Sequence, residues 1–205
     1  MALKIATGQF KGITLVSTDT ARELRPTQAI VREAIINTLG SMGIDFEELD
    51  ILDLYSGTGS MGFEFLSNGA NSITFVERDP KCQALLRTNT AKLKLKDRVS
   101  LLSGTLPGVL KALKRKNSTA VKEFDLVFFD PPFKFTVDQF TETVKAVLEY
   151  QLIKTEGLML LEYKNMELVK ELEHSFSEDL VILKTKKYGD CTVVFAQKTI
   201  PKLSS

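Results

Sequence analysis

A glycine-rich segment is the first feature of the sequence that could do chemistry. Gly57, Gly59 and Gly62 follow the apolar run 51–54 with the spacing Gly-x-Gly-x-x-Gly, and Glu77 lies at the end of the next strand-like run. Glycines let the backbone approach a ligand closely, and a carboxylate after the second strand can accept hydrogen bonds from ribose hydroxyls. The pattern therefore predicts a site for a ligand that contains adenosine.

A carboxylate just before the first glycine separates two classes of such ligand. Asp53 belongs to the apolar run, and Tyr55 and Ser56 lie between it and Gly57. The Asp53 carboxylate would repel the pyrophosphate of a dinucleotide and attract a cation such as an α-ammonium group. S-adenosylmethionine carries adenosine, an ammonium and a sulfonium but no phosphate, so the pattern favours it over NAD. An NAD-dependent oxidoreductase is the alternative from a different class.

A second group of chemically competent residues ends the fourth strand-like run. Asp130, Pro131, Pro132 and Phe133 directly follow the apolar run 124–129. Prolines fix the backbone and have no N–H, so their segment presents carbonyl acceptors in a rigid turn. A carboxylate and a carbonyl can hold the two N–H bonds of a planar amine and turn its lone pair toward a methyl donor. An aromatic ring beside them can stack on a flipped-out base.

Alternating strands and helices must position these residues. The near-continuous apolar runs predict buried parallel strands with helices between them, and Gly189-Asp190 predicts an antiparallel hairpin at the end. The predicted fold is an α/β, Rossmann-like sheet of mostly parallel strands. Strands are expected at 51–54, 72–76, 99–102, 124–129, 157–162, 180–184 and 192–196, and helices near 60–68, 80–92, 105–116 and 136–150.

The first part of the chain differs from this pattern. Gly8 and Gly12 bracket a predicted short strand pair, and 27–39 predicts an amphipathic helix with Thr27 as its N-cap. We therefore expect an N-terminal extension over 1–48, a main domain over 49–200 and a tail over 201–205.

Composition excludes several classes of protein. The 205 residues are 43% hydrophobic and 26% charged, as in an average globular chain. No apolar run is long enough to cross a bilayer and no signal peptide is evident, so we expect a cytoplasmic protein. Cys82 and Cys191 lack metal-ligand spacing and are expected to be reduced packing residues. The single histidine, His174, is expected to be exposed, and it argues against a multi-histidine metal site or a histidine-based triad.

Charge is unevenly distributed along the chain although the net charge is only +1. Residues 81–122 are rich in lysine and arginine, whereas residues 45–79 are rich in acids. Such a basic run is either a solvated surface or a flank that binds a phosphate backbone. Lys11, Arg25 and Arg32 have the same two interpretations, phosphate contact or surface salt bridge.

The motifs together resemble a known family. Residues 53–62 with Asp130-Pro131-Pro132-Phe133 resemble the class I S-adenosylmethionine-dependent methyltransferases that act on exocyclic amines. Residues 4–12, 25–27 and 31–34, with Val76-Glu77-Arg78-Asp79, Asn89 and Tyr188-Gly189-Asp190, are similar to the bacterial 16S ribosomal RNA (guanine(966)-N(2))-methyltransferase family. The resemblance covers about residues 4–197.

The resemblance implies a seven-stranded sheet with an antiparallel last strand and a small N-terminal extension. It also implies catalysis at Asp130, Pro131, Pro132 and Phe133, and RNA or cofactor contacts from Arg25 and Thr27. Many class I enzymes carry an acid after the third strand to bind adenine, but this chain has Ser103-Gly104-Thr105 there, so Thr105 or a backbone group is the expected substitute. The expected cofactor contacts are Asp53, Tyr55, Ser56, Gly57, Gly59, Glu77, Arg78 and Thr105.

The function expected from the sequence is thus methylation of guanine N2 in small-subunit ribosomal RNA, free or assembled in a ribosomal particle. The enzyme is expected to be a monomer that needs no metal and no membrane. The same acceptor pair could serve adenine N6 or a protein glutamine. A non-catalytic RNA-binding module is a further alternative, and loss of methylation in an Asp130→Ala variant would exclude it.

Overall fold

The computed structural model describes residues 3–17, 29–114, 122–132, 136–163, 167–189 and 191–200. The chain divides into two compact units, Met1–Gly104 and Thr105–Ser205. Within its described residues, the first unit carries three strands and three helices that alternate along the chain. They are α1 (Ala29–Ser41), β1 (Asp50–Leu54), α2 (Ser60–Ser67), β2 (Ser72–Glu77), α3 (Pro80–Lys92) and β3 (Val99–Ser103).

The strands of the first unit are parallel, so their carboxyl ends lie at one edge of the sheet. β1 pairs with β2, and β2 pairs with β3, with Leu54 opposite Val76 and Glu77 opposite Ser103. Apolar side chains of β1 and β2 are buried. The helix α3 begins where the sequence supplies an N-cap, because the Asp79 side chain accepts a hydrogen bond from the Lys81 N–H at 2.7 Å and Pro80 follows it. This edge of the sheet contains the glycine-rich turn.

The N-terminal segment 3–17 folds back on itself and packs on α2. The predicted strand pair is reduced to one bridge, between Lys4 and Thr14, supported by a few backbone hydrogen bonds. Gly8 has φ +72°, and a Cβ there would meet the Ser67 carbonyl oxygen at 2.0 Å. The segment therefore approaches the end of α2 more closely than any other residue type would allow.

A buried ion pair joins α1 to α2. Arg32 Nε and Glu64 Oε1 are 3.0 Å apart, and the two side chains are 2% and 0% exposed. Arg32 Nη2 also donates to the Lys4 carbonyl at 2.6 Å, and the Glu64 carboxylate accepts from the backbone N–H groups of Ala6 and Thr7. The expectation that Arg32 contacts phosphate or lies in a surface salt bridge is therefore wrong, because its guanidinium is buried.

The described part of the second unit contains four further strands. Its elements are a 3₁₀ turn (Gly108–Leu110), α4 (Lys111–Lys114), β4 (Phe124–Phe129), α5 (Val137–Glu149), β5 (Ile153–Tyr163), α6 (Glu167–Ser175), β6 (Leu180–Tyr188) and β7 (Cys191–Lys198). β4 and β5 are parallel, whereas β7 is antiparallel to both β5 and β6. The strand order over the chain is β3-β2-β1-β4-β5-β7-β6, which confirms the predicted fold class and the final hairpin.

Several element boundaries in the second unit differ from the prediction. β6 extends to Tyr188 instead of 184, and β7 covers Cys191–Lys198 instead of 192–196. The helix expected over 105–116 begins later than predicted, since Gly108 begins a 3₁₀ turn and α4 begins at Lys111. Pro107 precedes this turn and has no N–H to donate to a helix. β5 begins at Ile153 instead of 157, because a register shift opposite Phe124–Leu126 accommodates the polar residues 154–156.

The helix that follows β4 is anchored at both its start and its buried face. Thr136 and Gln139 form a capping box, with Thr136 Oγ1 accepting from the Gln139 N–H at 3.3 Å and Gln139 Oε1 accepting from the Thr136 N–H at 3.2 Å. The Phe140 ring packs edge-on against Phe129 with centroids 4.7 Å apart. This contact fixes the end of β4, where Asp130 follows.

No helix within the described ranges is long and apolar enough to span a membrane. In the same part of the chain, no cluster of three or more histidine, cysteine or acidic side chains could hold a metal ion.

Candidate active site

Ser56 joins the ends of β1 and β2. Its hydroxyl donates to the Asp53 carbonyl at 2.7 Å and accepts from the Val76 N–H at 2.9 Å, while its own N–H donates to the Val76 carbonyl at 3.1 Å. Because these bonds already use the hydroxyl, the structure gives Ser56 a role in building the turn. The expected cofactor contact of Ser56 remains a prediction.

Glu77 fixes the shape of the glycine-rich turn. Its Oε2 accepts from the Gly57 N–H at 2.8 Å, and its Oε1 accepts from the N–H groups of Arg78 and Asp79, each at 2.8 Å. A carboxylate offers about four lone-pair sites, so about one remains for a ligand hydroxyl. The Gly57 N–H is no longer available to a phosphate, which distinguishes this turn from a phosphate-binding one.

The three glycines of the motif are required for two different physical reasons. Gly57 has φ +52°, and a Cβ there would meet only the Tyr55 carbonyl at 3.8 Å, so this side of the turn has room for a ligand. At Gly59 a Cβ would lie 2.4 Å from a Leu86 methyl carbon, and at Gly62 it would lie 2.2 Å from the Phe75 ring. Gly59 and Gly62 therefore permit helix packing, and only Gly57 borders open space.

Asp53 is a buried carboxyl group beneath this turn, only 2% exposed. Burial raises its pKa well above the ordinary value, and the nearby Glu77 carboxylate raises it further. A hydrogen bond from the Gly62 backbone N–H opposes this shift. Asp53 in β1 and Glu77 at the end of β2 thus bring two acidic groups close together. This arrangement disfavours a phosphate and is compatible with the cationic groups of S-adenosylmethionine.

Of the remaining predicted cofactor residues, Tyr55 and Arg78 lie next to the turn and the end of β2, whereas Thr105 lies after β3. Tyr55 is half-buried with φ +58°, and the Arg78 side chain is exposed. Gly104 follows β3 and donates its N–H to the Glu77 carbonyl at 3.2 Å, which ties the end of β3 to β2. Thr105, the expected adenine contact, is exposed in the second unit, and its carbonyl accepts from the Val109 N–H.

The predicted catalytic residues directly follow β4 in the second unit. Phe129 is the buried last residue of the strand, and Asp130 is half-buried after it. Pro131 is buried and Pro132 is exposed, so the edge of the buried core lies between these two residues. The structure therefore brings the Asp-Pro-Pro segment to the carboxyl end of a buried strand. Phe133, Arg25 and Thr27, predicted to contact substrate, lie outside the described residues.

The environments of the two cysteines and of the histidine do not indicate a catalytic role. Cys82 is buried, and burial, together with Glu77 and Asp79, raises its pKa to about 11, so its thiol stays protonated near neutral pH. The Cys191 thiol donates to Glu162 Oε1 at 3.1 Å. His174 is exposed on α6, as predicted.

The parallel α/β sheet with its antiparallel hairpin and cation-favouring glycine turn defines a Rossmann-like methyltransferase whose cofactor is S-adenosylmethionine. The chain belongs to the family described as "Conserved hypothetical protein 95", whose model matches residues 3–197. Together with the curated relatives described next, this match confirms the family predicted from the motifs.

Several curated relatives are named "Ribosomal RNA small subunit methyltransferase D", including those from Haemophilus influenzae and Escherichia coli. The protein from Haemophilus influenzae is 28% identical over 188 residues, covering 91% of this chain and 89% of the relative. The protein from Escherichia coli is 29% identical over 160 residues, covering 78% and 74%. Among solved structures, hypothetical protein TTHA0928 of Thermus thermophilus has a TM-score of 0.71 at 21% identity and covers 94% of this chain and 97% of its own. That last likeness concerns the fold alone.

Proposed function

We propose that this protein transfers a methyl group from S-adenosylmethionine to the exocyclic N2 of a guanine in small-subunit ribosomal RNA. The observation that carries the proposal is the Asp-Pro-Pro segment at the carboxyl end of β4, in a chain whose family relatives are named as small-subunit ribosomal RNA methyltransferases. S-adenosylmethionine supplies an electrophilic methyl group. The chain must supply an oriented nucleophile and a destination for its proton.

In the proposed reaction, the Asp130 carboxylate and the Pro131 carbonyl each accept a hydrogen bond from one of the two N–H groups of the guanine amino group. The amine is a weak nucleophile because its lone pair is delocalised into the ring, and two fixed acceptors direct that lone pair toward the methyl donor. A bond forms between N2 and the methyl carbon, the carbon–sulfur bond breaks, and N2 releases one proton. In this proposal Asp130 accepts that proton.

In the same proposal, Glu77 and Asp53 hold the cofactor. Glu77 uses its remaining lone-pair site for a ribose hydroxyl, and Asp53 balances the charge of the ammonium group from β1. Gly57 provides the open side of the turn.

Replacing Glu77 with glutamine is expected to weaken S-adenosylhomocysteine binding about 10–100-fold. The glutamine oxygen can keep the bonds from Arg78 and Asp79, but its NH₂ group would then face the Gly57 N–H, donor against donor. Each lost charge-assisted bond is worth about 1.5–3 kcal/mol. Calorimetric titration measures the dissociation constant. Glu33→Gln, an exposed change on α1, is the control, and wild-type affinity in Glu77→Gln would contradict the assignment.

Replacing Asp53 with asparagine is expected to stabilise the free protein near neutral pH and to weaken cofactor binding. An acid with a raised pKa binds protons more strongly when folded, so its ionisation costs stability increasingly as pH rises from the unfolded pKa of about 3.9 to the folded value. Binding of a cation favours ionised Asp53 and should release a proton. Thermal unfolding measures the first effect, and titration in buffers of different ionisation enthalpy measures the second. Cofactor binding without a change in proton release between wild type and Asp53→Asn would contradict the role of Asp53.

The substrate is tested by mapping modified nucleosides in ribosomal RNA from cells that lack this protein. The expected result is loss of one N2-methylguanosine from the small-subunit RNA and its restoration by purified protein and S-adenosylmethionine. Persistence of every N2-methylguanosine at full occupancy would overturn the proposal. Loss of an N6-methyladenosine instead would establish the alternative amine.

A further inference from the structure

The outer strand of the second unit ends in a dense basic segment. Three of the four residues 184–187 are lysines, and segment 180–189 contains no acidic residue. The side chains of Lys184 and Lys187 are exposed, and Lys186 is half-buried. We call Lys184, Lys186 and Lys187 the β6 strip. It lies on the edge strand of the sheet, since β6 pairs only with β7 in the strand order.

Strand register places the β6 strip level with the end of β4. Phe129 is paired with Leu161 of β5. Leu161 is paired with Val194 of β7, and Val194 with Thr185 of β6. The row of residues that crosses the sheet at the end of β4 therefore reaches β6 in the middle of the strip. β4 and β6 are three strand spacings apart, about 14 Å.

The distribution of charge along β6 distinguishes ligand binding from simple protection of an edge strand. Lysines on an edge strand discourage pairing with another chain, and for that purpose they belong beside exposed apolar residues. The apolar half of β6 has no lysine, although Val181 and Leu183 are 50% and 44% exposed. The lysines are instead concentrated at the half that is level with Asp130.

We propose that the β6 strip binds the phosphate backbone of RNA next to the nucleotide that is methylated. The inference rests on the proposed function, because that function makes RNA the substrate at the end of β4. Lysine ammonium groups on an edge strand give a positive border that neutralises phosphates without reading sequence. The strip thereby supplies affinity and register, while chemistry stays at the β4 end.

The test compares two variants with the same charge change. K184Q/K187Q removes the two exposed lysines of the strip. K94Q/K96Q removes two exposed lysines of the first unit, which precede the amino end of β3 and so lie at the sheet edge opposite the glycine-rich turn. Binding to a small-subunit RNA fragment is measured over a range of salt concentrations, together with KM and kcat for methylation. S-adenosylhomocysteine binding and thermal unfolding verify that both variants are folded.

K184Q/K187Q is expected to raise KM for RNA about ten-fold with kcat unchanged, and to lower the salt-dependence slope by about 1–2. K94Q/K96Q is expected to behave like wild type, and K184R/K187R to restore binding because it restores charge. The proposal would be overturned if K184Q/K187Q had the wild-type KM and salt slope, or if K94Q/K96Q lost as much RNA affinity. It would also be overturned if K184R/K187R did not restore RNA binding. The proposed function has a separate readout, because wild-type protein that methylates no guanine contradicts that function whatever the salt slopes show.

Discussion

Replacing Asp130 with alanine is expected to lower the rate of methyl transfer about 10²–10⁴-fold, the range associated with loss of a positioned acid–base group. In the proposed reaction the variant loses one of the two acceptors that orient the amine, and it loses the group that takes up the proton. Initial rates of methyl incorporation into small-subunit RNA measure the effect. Binding of S-adenosylhomocysteine should stay at the wild-type level, because the glycine-rich turn is built from other residues.

Two further variants make the Asp130 result specific. Asp138→Ala removes an exposed carboxylate from the first turn of α5 in the same unit and should keep near-wild-type activity. Asp130→Asn keeps one acceptor oxygen but cannot take up the proton, so it should fall between wild type and alanine. Full activity in Asp130→Ala would exclude the catalytic role and favour a module that only binds RNA.

Replacing Arg32 with methionine is expected to destabilise the protein by about 3–5 kcal/mol, because it leaves the buried Glu64 carboxylate without its cationic partner. The Lys4 carbonyl also loses its bond from Arg32 Nη2. For a chain of this size the change corresponds to a fall in Tm of about 10 °C or more. Thermal unfolding followed by circular dichroism measures it.

A matched change elsewhere separates this effect from a general cost of losing a positive charge. Arg87 is an exposed arginine on α3, and Arg87→Met should change stability by less than about 0.5 kcal/mol. Equal Tm values for Arg32→Met and Arg87→Met would show that the buried pair contributes nothing to stability. Glu64→Leu is expected to be more damaging than a surface change as well, because the N–H groups of Ala6 and Thr7 would lose their acceptor.

The elements near the site were predictable because short-range signals fix them. β1, β2 and β4 are apolar runs that end at a turn or an acid, and their bounds differ from the prediction by a residue or less. Asp79-Pro80 marks the start of α3 by capping chemistry alone. The first part of β5 was not predictable because residues 154–156 are polar. A bulge there leaves side chains exposed where the alternation of a regular strand would bury them.

The chemistry of the turn was only partly predictable. The Gly-x-Gly-x-x-Gly spacing with Glu77 indicated an adenosine ligand, and Asp53 indicated a cation. That the Glu77 carboxylate also holds the Gly57 N–H depends on the parallel register of β1 and β2, which places two residues distant in sequence at hydrogen-bond distance.

By itself the sequence determined the alternation of strands and helices, the glycine-rich turn and the Asp-Pro-Pro segment, because each depends on neighbours a few positions away. Only the tertiary structure decided that Arg32 is a buried partner of Glu64 instead of a phosphate contact, and that the β6 strip is level with Asp130. Burial and strand register both arise from contacts between distant segments. A basic residue therefore looks the same in the sequence whether the fold pairs it in the core or presents it to a ligand.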